Sequence, residues 1–200
     1  GPDRPYYLSA ALNAGQCYFD DNRFEEADRW FTSLQEQFPD SAHYRDRAGR
    51  LGTLARFKIA EKLAAGGRSE ESARLMQSVA MAANETALRD RALFEAAAQF
   101  QKLKNNREAA QALEQLAAQQ PPSELADEAL YRAAVLRETE GEWQLAVHDY
   151  LLLCDTWPES NYAQRSLKSA AICQENLQNW AEAERLYSRF ALTYPDSLTD

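Results

Sequence analysis

Apolar positions recur at helical spacing along almost the whole chain, most regularly between Ser160 and Pro195. There Leu167, Ala170, Ala171 and Gln174 fall at i, i+3, i+4 and i+7, and Trp180, Ala183, Tyr187 and Phe190 at i, i+3, i+7 and i+10. Each set lies on one face of a helix. The polar run Asn176-Leu177-Gln178-Asn179 between them has the length of a helix-helix connection, so the stretch predicts two antiparallel helices. Pro195 stops the second helix, and Ser197 is placed to cap a following one.

The pattern repeats. Steps of 37 residues carry Ala171, Ala183, Tyr187, Phe190 and Pro195 back to Ala134, Ala146, Tyr150, Leu153 and Pro158, then to Ala97, Ala109, Leu113, Leu116 and Pro121. A further step of 37 reaches Ala60, Ser72, Met76, Val79 and Asn84, and one of 45 reaches Gly15, Ala27, Phe31, Leu34 and Pro39. Five copies thus share two columns of small residues, Gly15/Ala60/Ala97/Ala134/Ala171 and Ala27/Ser72/Ala109/Ala146/Ala183. Small side chains let two helix backbones approach closely, while bulky ones a turn away fill the space beside them.

This arrangement resembles the tetratricopeptide repeat, whose small, aromatic, small, aromatic and Pro pattern is met at Gly15, Tyr18, Ala27, Phe31 and Pro39, and nearly as well in the last two copies. The second copy departs most, with Leu63, Ser72 and Asn84 at patterned positions. The resemblance implies an all-α, right-handed superhelical solenoid of antiparallel hairpins, one array over residues 1–200. Its repeats fall at about 5–40, 41–85, 86–122, 123–159 and 160–196, with the start of a sixth at 197–200. The 37-residue period and the joints Phe38-Pro39-Asp40-Ser41, Trp157-Pro158-Glu159-Ser160 and Tyr194-Pro195-Asp196-Ser197 are similar to a narrower group of bacterial cell-envelope repeat proteins. The Tol-Pal system coordinator and the outer-membrane assembly lipoprotein are of this kind. That likeness implies the periplasm or cell envelope, with the cytoplasm as the alternative.

The extra eight residues of the 45-residue step fall in the first helix of the second copy, which should be about 12 Å longer than its siblings. This helix carries Arg45, Arg47, Arg50, Arg56, Lys58 and Lys62 against Asp46 and Glu61. Turns are expected at Asp20-Asp21-Asn22, Gly66-Gly67-Arg68-Ser69, Asn105-Asn106-Arg107 and Glu140-Gly141-Glu142. Asn84-Glu85-Thr86 fits a glycosylation acceptor pattern, but it falls at the joint between two copies, where Asn ends one helix and Thr starts the next, and it is read as that joint.

Charge narrows the partners. The net charge of −9 argues against nucleic acid or an anionic membrane surface, and the acidity is uneven: residues 1–84 hold 11 Lys+Arg against 12 Asp+Glu, residues 85–200 hold 11 against 19. No run approaches the ~18 apolar residues of a membrane span, and no leader pattern appears. Gly1-Pro2 reads as a cleavage scar and the two ends as those of an excerpt.

Candidate chemistry is sparse. Cys17, Cys154 and Cys173 show no CxxC spacing and read as buried free thiols, although Cys154 and Cys173 lie on successive helices and could approach. His43 and His148 belong to no ligand motif; Asp40, His43 and Asp46 read as cap and surface residues. No catalytic residue, metal or cofactor is expected.

The column six residues before each first-helix Tyr18-type position offers more. Within the resembled family this column, here Leu12, Phe57, Phe94, Tyr131 and Lys168, faces the concave groove, flanked by Asn13, Lys58, Glu95, Arg132 and Ser169. Aromatic faces beside Lys58 and Arg132 suit an extended peptide or partner helix, and the same rings also suit packing between neighbouring hairpins. The Lys and Asn with which a subgroup of the family grips chaperone tails are absent, Leu12 and Gln16 standing in their places. The chain is therefore expected to be a protein-interaction scaffold. A spacer that self-associates through its repeat ends, or an accessory domain of a larger enzyme or secretion system, are the alternatives.

Overall fold

The computed structural model describes residues 4–120 and 122–195. The expectations placed on Gly1-Pro2, Pro121, Ser197 and a sixth repeat at 197–200 lie outside the described residues. Ten α-helices make up the described chain, with no strand: α1 (Arg4–Asp20), α2 (Phe24–Gln37), α3 (Ala42–Ala65), α4 (Ser69–Ala82), α5 (Thr86–Lys102), α6 (Asn106–Ala117), α7 (Ala126–Thr139), α8 (Trp143–Thr156), α9 (Ala163–Asn176) and α10 (Trp180–Thr193). α3 has 24 residues where the other first helices have 14 or 17, as the eight-residue insertion requires.

All five hairpin turns are closed by the same motif. Asn22, Gly67, Lys104, Gly141 and Gln178 adopt φ of 60°, 77°, 58°, 72° and 59°. The amide after each donates to a carbonyl five residues back, Arg23 to Tyr18, Arg68 to Leu63, Asn105 to Phe100, Glu142 to Arg137 and Asn179 to Gln174. This satisfies the orphan carbonyls of the first helix through a left-handed cap, so one backbone device sets the reversal whether or not glycine is present.

The chain folds as two compact units, Gly1–Gln99 and Phe100–Asp200. In the first, Ala11, Leu12, Ala27, Phe31, Leu34, Ala48 and Ala55 form the core between α1, α2 and α3. The small columns work as the pattern predicts. A methyl group on Gly15 would lie 2.5 Å from the Phe31 ring, and the buried Ser72 hydroxyl donates to the Ala60 carbonyl at 2.8 Å, tying α4 directly to the backbone of α3. Arg91 on α5 reaches back to Glu61 on α3 at 2.6 Å.

In the second unit the core joins Ala134, Ala146, Val147, Tyr150, Cys154, Leu167, Ala170, Ala171, Cys173, Leu186 and Phe190 from α7 to α10. Tyr150 and Tyr187, one repeat apart, each donate a phenolic hydrogen bond to the carboxylate twelve residues earlier, Glu138 at 2.7 Å and Glu175 at 3.1 Å. Neighbouring hairpins are also joined by Ser160 to Asp127 at 2.6 Å and Arg189 to Asp155 at 2.7 Å. Trp180, expected on the buried face of α10, is exposed at the first residue of the helix, where the turn carries it beyond the core.

Candidate functional site

The first-helix column divides by environment. Leu12 and Phe57, expected in the groove, are core residues, 5% and 1% exposed. Leu12 packs in the α1–α3 core, and the Arg91 guanidinium lies 4.8 Å over the Phe57 ring. The packing reading therefore holds for these two, because the long α3 and its neighbours close over them. Phe94 in the first unit and Tyr131 in the second are half-buried. Tyr131 stacks on Tyr162, ring centroids 4.9 Å apart at an interplanar angle of 22°, and leans against Tyr150.

Lys168, the fifth member of the column, is exposed, as are the flanking Asn13 and Arg132, while the flanking Lys58, Glu95 and Ser169 are half-buried. Lys58 pairs with Glu61 at 2.7 Å and Arg132 with Glu128 at 2.5 Å. The second unit thus carries a stacked tyrosine pair and two exposed cations at successive positions of the pattern, and the first a half-buried Phe94 without the rest of the predicted stripe.

A second constellation, not anticipated from the sequence, centres on Arg137. Arg137 and Gln174 stand where the first copy has Tyr18, and Arg137 is only 6% exposed. Its Nε and Nη2 grip both oxygens of Glu114 at 2.7 and 3.0 Å, and its Nη1 meets Glu142 at 2.6 Å. Arg107 holds the other oxygen of Glu142 at 2.8 Å. The hydrogen bonds that Arg137 donates to Glu114 raise its pKa further, and the hydrogen bond from Arg137 holds Glu142 below the ordinary carboxylate range. The signal that could have revealed this cluster was a charged residue in a column that is apolar or aromatic in the first three copies.

Close by, Asp149 is 5% exposed, and its Oδ2 has no hydrogen-bond partner while Oδ1 lies 3.0 Å from His148 Nδ1. Burial pushes its carboxyl up to about 6, outweighing the hydrogen bond from His148. Asp149 lines a groove of about 470 Å³ together with Glu114, Leu130, Leu145, Leu152 and Trp157.

Cys154 and Cys173 are buried free thiols, as expected, their pKa values pushed by burial to about 11 and about 12. Cys17 is free but exposed, contrary to the buried reading, because the last turn of α1 presents it to solvent. Among the described residues no group of three His, Cys, Asp or Glu side chains could hold a metal ion, and no helix is long and apolar enough to cross a membrane.

Three stretches match the tetratricopeptide repeat family model, residues 9–41, 91–123 and 169–197, in the first, third and fifth copies. Together with the hairpin fold, these matches make the chain similar to arrays of tetratricopeptide repeats. The unmatched copies are those with the insertion in α3 and with Arg137 in the aromatic column. Among solved structures, the chain is similar to nearly identical TPR-like repeats of Podosopora anserina, at 15% identity and a TM-score of 0.51 over 99% of this chain and 100% of that one. It is also similar to the MamA protein, at 13% identity and a TM-score of 0.50 over 96% of this chain and 93% of that one. At these identities the likeness is one of fold. A search of curated proteins finds no match.

Proposed function

We propose that this chain is a non-enzymatic scaffold that holds a peptide segment or helix of a partner protein against the first helices of its hairpins, within a bacterial cell-envelope assembly. The observation that carries the reading is the stacked Tyr131 and Tyr162 rings of the second unit, with exposed cations at Arg132, next in sequence to Tyr131, and at Lys168, one repeat on in the same column. Aromatic faces supply contact area at low entropic cost, and the cations select acidic groups on the partner. The repeat fold supports it, since a hairpin array offers binding surface rather than a reaction site. The envelope setting is supported by the 37-residue period and the Pro-Asp/Glu-Ser joints.

The test compares pull-downs from a bacterial envelope extract by the wild-type chain and by Arg132→Glu/Lys168→Glu, a change confined to exposed side chains. A partner held by the first and lost by the second supports the reading. An identical set of captured proteins, or capture of the chain alone, contradicts it.

A further inference from the structure

The five copies serve as internal controls for one another, and α8 departs from them at three positions on one face. Leu145 is 47% exposed where the other copies carry Glu26, Glu71, Glu108 and Glu182. Those glutamates sit in the first turns of their helices, where negative charge complements the helix dipole, and α8 has no acidic residue there. Leu152 is 45% exposed where the others carry Ser33, Ser78, Gln115 and Arg189. Asp149 reverses the substitution. It is buried and acidic in a column that otherwise reads Trp30, Leu75, Ala112 and Leu186. Fold stability favours the opposite residue at each position, so none of the three is explained by the repeat itself.

The three side chains line the same groove, together with Trp157 and Glu114. Leu145 and Leu152 are seven residues apart, two helical turns or about 10 Å, with Asp149 between them. Charges around the groove do not balance. Glu114 and Glu142 are matched by Arg137 and Arg107 through direct ion pairs, whereas Asp149 feels Arg137 only at longer range, hydrogen-bonds the exposed ring of His148 through Oδ1 and has an Oδ2 with no hydrogen-bond partner. One negative charge is left over, buried between two apolar anchors.

We infer that the α6/α8 groove is a docking site for a partner peptide that presents one Lys or Arg between two apolar side chains. The apolar side chains cover Leu145 and Leu152, and the cation reaches the Asp149 carboxylate. The acidity of the second unit, 9 Lys+Arg against 16 Asp+Glu in residues 100–200, draws such a segment in. This groove involves the second helices of two hairpins, and the inference does not rest on the reading of the first-helix face.

The test is selection from a random 12-residue peptide library displayed on phage, against the whole chain, with depletion on Leu145→Glu/Leu152→Gln. That variant installs residues that sibling copies carry at the same positions, so it is expected to fold as the wild type does. The selected peptides should share a Lys or Arg flanked by apolar residues. Their affinity should fall at least tenfold for Leu145→Glu/Leu152→Gln and for Asp149→Leu, and stay unchanged for Arg132→Glu/Lys168→Glu. Asp149→Asn gives the same reading should the Leu variant fail to fold. No enrichment over the depletion step, selected peptides without a cation, or undiminished binding to both Asp149 variants overturns the inference. So does a dimer of the chain that dissociates in Leu145→Glu/Leu152→Gln, because a second copy would then be the occupant.

Discussion

Arg137 on α7 clasps Glu114 on α6 through two hydrogen bonds, Nε to Oε1 at 2.7 Å and Nη2 to Oε2 at 3.0 Å, joining one hairpin to the next. The same guanidinium closes onto Glu142 in its own turn, so a single buried cation fixes both the turn of one repeat and its seat on the neighbour. Arg137→Met removes both links and leaves Glu114 facing the apolar wall uncompensated. The expected loss is about 2–4 kcal/mol, somewhat below that of a fully buried pair because Glu114 keeps some access to water. A urea midpoint unchanged from wild type would contradict this role.

Asp149 predicts a specific pH dependence. Its folded pKa, about 6, lies above the ordinary aspartate value of 3.8, so the folded state binds the proton more tightly than the unfolded chain. The resulting stabilisation is fully present below about pH 4 and is lost as pH rises through about 6. Glu142, whose pKa is lowered, acts in the opposite sense, which makes the difference between variants the informative quantity. Asp149→Asn should exceed wild type in stability by about 1–3 kcal/mol above pH 7, and the gap should close toward pH 4. A gap independent of pH would show that the carboxylate carries no such penalty.

The hairpin turns predict opposite effects for glycine gained and glycine lost. Lys104 and Gln178 hold φ near 60° without glycine, and changing either to Gly should stabilise by about 0.5–1 kcal/mol. Gly67→Ala meets no neighbouring atom yet keeps φ of 77°, so it should cost about 1 kcal/mol from the backbone alone. Thermal unfolding of the three variants checks the sign of each.

Ala146 lies fully buried in the small column between α7 and α8. Ala146→Leu should overpack that contact and cost about 1–3 kcal/mol, while Glu140→Gln on the exposed turn should leave the melting temperature where it is. Equal melting temperatures for Ala146→Leu and wild type would contradict the pairing of the two helices.

Helix number, turn placement and the lengthened α3 were all legible in the sequence, because small residues at a fixed period can be satisfied in few ways. Two of the five shared left-handed turn residues announced themselves as Gly67 and Gly141; Lys104 and Gln178 did not, since backbone hydrogen bonds alone hold them there. The site was legible only in part. Column position does not distinguish a ring that faces solvent from one roofed by a neighbour, which is why Phe57 and Tyr131 looked alike and differ. The Arg137 cluster and the α8 groove were hidden for a different reason. Both are departures from the repeat, and a reading that follows the shared pattern passes over residues such as Asp149 that break it.

The claim that this array exists to hold another protein is tested most directly by photo-crosslinking in bacterial cells. A photoreactive amino acid replaces Arg132 or Lys168 in turn, with Lys104 at a hairpin tip as the control. The account predicts adducts to the same second protein from positions 132 and 168, and none from 104. Adducts of the chain with itself alone, or equal labelling from all three positions, would contradict it.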